Sequence, residues 1–490
     1  MSRLRHIFLC LFCWLTMNVS IAQNAIPKLV LGIVIEDLRA DCLTQFWSDF
    51  SDNGFRQIFD NGASTFSLSI PYYSVDAAPD YVSVFTGATP SIHRIIANRW
   101  FDRHSNRMTD FTPQKITLST LSDELKRKNS NSKVIAIGHN ALQTFAMAGK
   151  NPNAAVWLDD FSSHWKTSDA YAALPAWALA VNSRRPIGRP EVPVWQPLQG
   201  AAFSHSMRNY QGSPHYFTML KTTPWANSEV TELAKTALTQ ERLGTINRTD
   251  MLLVGFSAKD FSESRSQGIS PELKDIYLRL DLHIADLLRE VQNIVPQENM
   301  LVFIVANQTN HLQQNMPAET VSEQRILSLL NLFLMAKYEQ AQWVRYFADN
   351  QVYLNHQEIE TRGYRVDAIR TAVADFMSGV SSVQAVYTAG QLENACGDAL
   401  FQQMQKAHSK INSGDVMFAF APGRAKVNEY DLPIAYTRNL YADVPFAIFG
   451  NNIRAQKIES SATILDIAPT ISRRLRINKP NGSVGRELSF

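Results

Sequence analysis

The feature that most constrains the fold is the run PKLVLGIVIED, Pro27 to Asp37, which is apolar at nearly every position and ends in two carboxylates. A strand with one wet face alternates apolar and polar residues, whereas a strand covered on both faces reads as an unbroken apolar run. The same signature returns at Ala63 to Ile70, Lys133 to Gly138, Ala154 to Leu158, Met251 to Ser257, Met300 to Ala306 and Val444 to Phe449. Amphipathic segments stand between these runs, the clearest being SPELKDIYLRLDLHIADLLREV. There Ser270 is placed to cap a helix with Pro271 at its first position, and Leu273, Ile276, Tyr277, Leu280, Ile284, Leu287, Leu288 and Val291 form one stripe. Strands covered on both faces and alternating with helices predict an α/β fold around a mixed, largely parallel sheet.

Two stretches break the alternation. Residues 161–248 are rich in Trp, Pro and Ser with little periodicity, which predicts a loop-rich cap over the sheet's edge. Residues 310–433 carry their own helix, Val366 to Met377, and strand, Val383 to Tyr387, which predicts an inserted α+β subdomain. At the front, Arg3 and Arg5 precede an apolar run that ends in Ser20-Ile21-Ala22. This is the pattern of a secretory signal covering residues 1–22, and the run from Ile7 to Ala22 is short for a bilayer span. The expected mature chain, 23–490, is therefore exported, periplasmic or extracellular, and contains no membrane span.

The chain has 47 basic and 45 acidic residues, so it is formally neutral once Arg3 and Arg5 are gone. Such a balance gives no general electrostatic reason to expect nucleic acid or an anionic membrane as a partner, and the local clusters Arg184-Arg185 and Arg473-Arg474-Leu475-Arg476 read as solvated surface. Beyond the signal only Cys42 and Cys396 remain. Two isolated cysteines match no zinc-ligand spacing, and the sequence leaves open whether they pair.

The order of motifs GIVIEDLRAD, FTGATPSIHRIIANRWFD, IYLRLD, LVFIVAN, DVPFAIFG, LDIAPT and PNGSVGREL resembles the alkaline phosphatase superfamily. The likeness is greatest to secreted monomeric alkaline phosphatases with a threonine nucleophile and to nucleotide pyrophosphatase/phosphodiesterases. It covers nearly the whole mature chain and implies an alkaline-phosphatase-like sheet. The resemblance also implies two adjacent divalent ions, usually zinc, held by carboxylates and imidazoles beside a Thr or Ser nucleophile.

The residues at those positions depart from the pattern. The resemblance puts Glu36, with Asp37 beside it, where the first carboxylate ligand belongs. Counting back from Phe85, the nucleophile position falls on Ala77, which has no oxygen, while Ser83 and Thr86 belong to the scaffold beyond it. The segment SAKDFSESR offers Lys259 and Glu263, or with one residue of slip Asp260 and Ser264, where an Asp and a His are implied. Asn307 and Gln308 stand for an Asp-His pair, and Ile434 for the last His. Asn98 matches the family's asparagine that touches a phosphoryl oxygen, whereas Asn140 and Leu142 stand where some members carry basic residues.

Carboxylates Glu36, Asp37, Asp76 and Asp80 are weak candidates for an oxygen-ligated cation, with helix capping and surface ion pairs as the plainer reading. His93 is expected to support structure, and His311 to sit in a surface loop. His356-Gln357-Glu358 superficially resembles a deaminase signature but lacks the PCxxC that should follow. The resulting expectation is a catalytically degenerate phosphatase homologue with no resident metal, binding an envelope or secreted protein. Its remnant pocket is formed by Glu36, Asn98, Lys259, Glu263, Asn307 and Gln308. The alternative is an active phosphomonoester or phosphodiester hydrolase with zinc or another divalent ion in a rearranged site.

Overall fold

The computed structural model describes residues 26–162, 164–184, 194–210, 213, 215–261, 269–307, 319–427, 433–437, 443–459 and 461–490. The expected export signal lies outside them. The apolar runs become neighbours in one sheet. Its strands are β1 (Leu29–Glu36), β2 (Ala63–Leu68), β3 (Val134–Gly138), β4 (Ala154–Leu158), β5 (Trp165–Lys166), β6 (Asp250–Ser257), β7 (Met300–Ala306), β8 (Val444–Gly450) and β9 (Gln456–Lys457). They lie in the order β9-β2-β8-β7-β1-β6-β3-β4-β5. β1 runs parallel to β6 and β7, β3 parallel to β6 and β4, and β8 is antiparallel to both its neighbours. The sheet is thus mixed and largely parallel.

Central β1 is buried along its length, as its unbroken apolar run requires. Gly32 lies at its middle because a Cβ there would come within 2.4 Å of Phe303 and 2.5 Å of Leu253. Covering helices include α1 (Ala77–Thr86), α2 (Leu121–Lys128), α3 (Ala141–Ala148), α4 (Pro224–Gln240), α5 (Pro271–Ile294) and α6 (Ile467–Leu475). In α5 the Ser270 hydroxyl accepts from the Leu273 N–H, and the predicted stripe is buried. Its Asp281 carboxylate accepts from Ser51 and Phe55, binding the helix to the chain after β1.

Helix α4 departs from the loop-rich reading of 161–248. Val230, Leu233, Ala234, Ala237 and Leu238 form a stripe that packs on the sheet domain, so the chain from Pro224 onward belongs to the body of the domain. The stripe was present in the sequence, but its small residues make a weak hydrophobic signal.

Strands Val344–Ala348, Gln351–Leu354, Val383–Thr388 and Val416–Phe420 make a separate four-stranded sheet. Helices Glu323–Lys337 and Val366–Ser378 share a second core with it, around Leu330, Trp343, Ile369 and Phe418. Buried Asp415 fastens this unit to the main domain. It accepts from Arg370 and His356 of its own unit and from Arg103, which follows the strand Arg99–Asp102. Burial pushes the Asp415 carboxyl up, but His356 and Arg103 outweigh it and hold it well below the usual range. His356 is accordingly part of a structural ion-pair network. Cys42 is buried and Cys396 exposed, and neither forms a disulfide. Among the described residues no helix is long and apolar enough to cross a membrane.

Candidate functional site

In an open parallel sheet the ligand crevice lies outside the carboxyl ends of the strands. Here the ends of β1, β6, β7 and β3 bring together Glu36, Ser257, Asn307 and His139. The register pairs Glu36 with Ser257 and Ile35 with Ala306, so Asn307 begins one residue beyond the sheet beside Asp37. Asp37 has a left-handed backbone, φ 57°, which Asp tolerates better than most residues. Its N–H donates to Asn307 Oδ1 at 2.9 Å, which pins the turn.

Helix α1 starts at Ala77 on one flank of this crevice. Asp76 is the residue before the helix, but its carboxylate makes no cap; it accepts from the Asn98 N–H at 2.7 Å. Asn98 supplies the cap instead, its Oδ1 accepting from the Ala78 N–H at 3.0 Å. The capping expected of Asp76 therefore passes to a residue from the next segment. Asp80, expected at the surface, is fully buried and accepts from the Tyr72 hydroxyl at 3.0 Å. Polar residues on a helix with one solvated face would stay wet, but α1 is buried almost all round.

The third amide is Asn140. Its Nδ2 donates to Glu36 Oε2 at 3.3 Å, while its Oδ1 caps α3 by accepting from the Gln143 N–H. Fully buried Gln143 donates to the carbonyls of Val34 and Phe256, so the floor of the crevice is also amide-lined. Tyr81 points its buried hydroxyl toward this group. Burial pushes it well above its ordinary value, and the nearby Glu36, Asp37 and Asp80 charges push the same way.

Lys259 is exposed just past β6, where Ala258 N–H donates to the Glu36 carbonyl at 2.7 Å. Asp260 is turned away: its carboxylate accepts from the Ser270 hydroxyl and the Phe261 N–H, joining the strand to the start of α5. Burial raises its pKa. Glu263, Ser264, Gln308 and His311 lie outside the described residues, and nothing is described of the Ile434 side chain. His93 is buried, accepts from the Ile95 N–H at Nδ1, and therefore donates from Nε2 to Ser83 Oγ at 3.1 Å. Burial lowers its pKa to about 3, so it is a neutral scaffold residue.

Two contributors were missed by the sequence reading. His139 follows β3 directly in AIGHNALQ, so an imidazole does stand at the crevice edge. It is buried, its Nε2 lies 2.9 Å from the Lys221 carbonyl, and burial with Lys221 and Lys259 nearby lowers its pKa to about 3. Asp349 comes from the turn Asp349–Asn350 of the second sheet, where both residues have positive φ. Its carboxyl is pushed up to about 7 by burial and then by the Asp76 charge, so the inserted unit reaches the entrance of α1.

Among the described donors the two-ion centre implied by the resemblance finds no ligand set. Among the described residues no group of three or more His, Cys, Asp or Glu could hold a metal ion. Asn307 and Asn140 use their amides on Asp37 and Glu36, and amides are weak zinc donors beside carboxylate and imidazole.

With this geometry in view, the comparisons are decisive for ancestry. Residues 30–423 match the model of the type I phosphodiesterase / nucleotide pyrophosphatase family. The chain belongs to that family. Alkaline phosphatase PafA of Elizabethkingia meningoseptica is 25% identical across 95% of both chains. Alkaline phosphatase PhoV of Synechococcus elongatus is 26% identical across 94% of this chain and 92% of its own. The wild-type PafA crystal structure superposes with a TM-score of 0.83 at 24% identity, over 94% of this chain and 98% of that one. An inactive threonine-to-alanine form of murine ectonucleotide pyrophosphatase / phosphodiesterase 5, in complex with AMP, gives 0.52 at 12% identity, over 94% and 97%. These structural likenesses extend the family's fold to the inserted unit as well as to the sheet.

Proposed function

We propose that this chain is a catalytically degenerate member of the phosphodiesterase family, exported to the cell envelope, where its retained fold serves as a binding or assembly protein. The observation that carries this reading is the amide network. Asn307 spends its side chain on Asp37 where the resemblance implies a metal ligand, Asn140 spends its own on Glu36 where some members carry a basic residue, and Asn98, which matches the family's asparagine, caps α1, whose first residue Ala77 stands at the nucleophile position. Ala77 agrees with it: the murine relative captured with AMP in an inactive form had its threonine changed to alanine. A PafA variant altered at a threonine and an asparagine has these two residues at the same sequence separation as Ala77 and Asn98.

Without a hydroxyl Ala77 offers no nucleophile for in-line displacement, and His139, the imidazole at the crevice edge, is buried against the Lys221 carbonyl and belongs to no group of three or more ligating side chains among the described residues that could seat an ion. The pocket that remains, with Asn98, Asn307 and Lys259 around it, suits hydrogen-bonded contact with a polar group. Purified protein assayed with a chromogenic phosphomonoester and a phosphodiester, together with elemental analysis, tests the reading. Background turnover and substoichiometric zinc are expected. Stoichiometric zinc with turnover abolished by a chelator would establish instead a hydrolase using Glu36, Asp37, Asp260 or His311.

A further inference from the structure

The edge of the sheet opposite the crevice is strongly basic. Two adjoining cavities open there, of about 900 and 360 Å³, and both are lined by Ile477 just after α6. Lys28 and Lys128 line the smaller, and Arg473, Arg474, Arg476 and Lys479 the larger. Arg248, also on the smaller, is paired with buried Asp250 at 2.7 Å. Of the acidic groups on this edge, Glu241 is paired with Lys133 at 2.7 Å. Glu487 lies 3.7 Å from Arg473, and exposed Glu298 precedes β7. A chain whose expected mature form is formally neutral has thus gathered a local excess of cations away from the crevice.

The patch is also amphipathic. Ile26 and Ile246 stand 41% and 49% exposed beside the smaller cavity, whose lining includes Ile26 and Asn247. Arg474 is half-buried, its guanidinium 4.9 Å from the Phe490 ring and donating to the Phe490 carbonyl at 2.6 Å. Clustered cations with a few exposed aliphatic side chains match the headgroup region of a bilayer, where charge meets anionic lipid and apolar tips enter the interface.

We infer that this basal face docks on a membrane surface rich in anionic phospholipid, leaving the crevice at the carboxyl ends of the strands directed away from the bilayer. The inference stands whether or not the crevice is catalytic. A strand of seven or eight residues spans roughly 25 Å, so docking at one end leaves the other accessible.

Flotation with vesicles of phosphatidylcholine containing about one-third phosphatidylglycerol, against pure phosphatidylcholine, tests it on the exported chain. The wild type is expected to float with the anionic vesicles and to be released at 0.5 M salt. The triple variant Lys128→Gln, Arg473→Gln, Lys479→Gln changes exposed side chains and should lose affinity by on the order of fivefold per charge. Circular dichroism and melting confirm that it is folded. Both proteins carry the same N-terminus, so their difference reads the basal face alone. Equal flotation of variant and wild type overturns the proposal. So does indifference to phosphatidylglycerol, or binding to heparin or DNA without binding to the vesicles.

Discussion

The two ends of helix α1 have diverged in what they do. At its C-terminal end, Ser83 and His93 form a buried hydrogen bond, and Gly87 closes the helix at φ 65°, its N–H donating to the Ser83 carbonyl. This end is packed scaffold. Its N-terminal end begins with Ala77, is capped by an asparagine from another segment, and lies beside two carboxylates of which one, Asp349, is held partly protonated. The contrast teaches that packing and chemistry on one helix answer to separate constraints: the turn is held by buried side-chain contacts, while the first residue, Ala77, carries no hydroxyl.

The sharpest way to break the scaffold end is Gly87→Ala. A Cβ there would lie 2.4 Å from Ser483 Oγ and 3.0 Å from the Leu465 carbonyl, on a backbone that L-residues adopt at a cost. The expected loss is about 2–4 kcal/mol, read by urea denaturation.

Acid acts on that end through His93 and on the crevice edge through His139. His93 and His139 titrate at about 3 in the fold and near 6.5 when unfolded. Below 6.5 the unfolded chain binds protons that the folded chain refuses, so stability is full above that pH and is lost as pH falls toward 3. By pH 5 the loss should reach on the order of 2 kcal/mol per histidine. His93→Gln should be less stable at pH 7.5 but lose its share of the slope. An unchanged slope would remove His93 from the account.

Alkali strains the other end. Asp349 titrates at about 7 in the fold against 3.8 when unfolded, so its contribution is fully present below 3.8 and is lost as pH rises through 7. Asp349→Asn, which suits the left-handed turn, should therefore stabilise by about 1–2 kcal/mol at pH 8 and change little at pH 4. Melting curves at the two pH values decide it. Equal effects at both would mean that Asp76 and burial do not set the Asp349 charge.

What was legible in the sequence follows the same division. Strands buried on both faces announce themselves as unbroken apolar runs, and the Ser270-Pro271 start of α5 was readable because a cap acts within a few residues. The burial of Asp80 was not, since it depends on Tyr72 and on neighbours of α1 distant in sequence. Asp349 reaches α1 across more than half the chain, and no local signal marks it. His139, adjacent to Asn140, carries no spacing that marks it as a site residue, since its place at the crevice comes from the end of β3. Ala77, Asn140 and Asn307 were read from the sequence as departures from the pattern that the resemblance implies. What the structure adds is that the amides are engaged with the surviving carboxylates and with the start of the helix.

The smallest expected effect is the most discriminating. Ala77→Thr restores the hydroxyl at the first residue of α1, a position where the change in helix preference costs only about 0.5 kcal/mol, so the variant should fold and melt nearly as the wild type does. If the site were a phosphatase lacking only its nucleophile, this single oxygen would bring turnover back. The amide network argues otherwise. A threonine there finds Asn98 committed to the Ala78 N–H, Asn307 to Asp37 and Asn140 to Glu36, and among the described residues no group of three or more ligating side chains to seat an ion that would lower its pKa. Phosphomonoester turnover should stay at background even with added zinc. A gain of a hundredfold or more would show that the N-terminal end of α1 had lost one atom and kept its chemistry, and the two ends of the helix would then be alike.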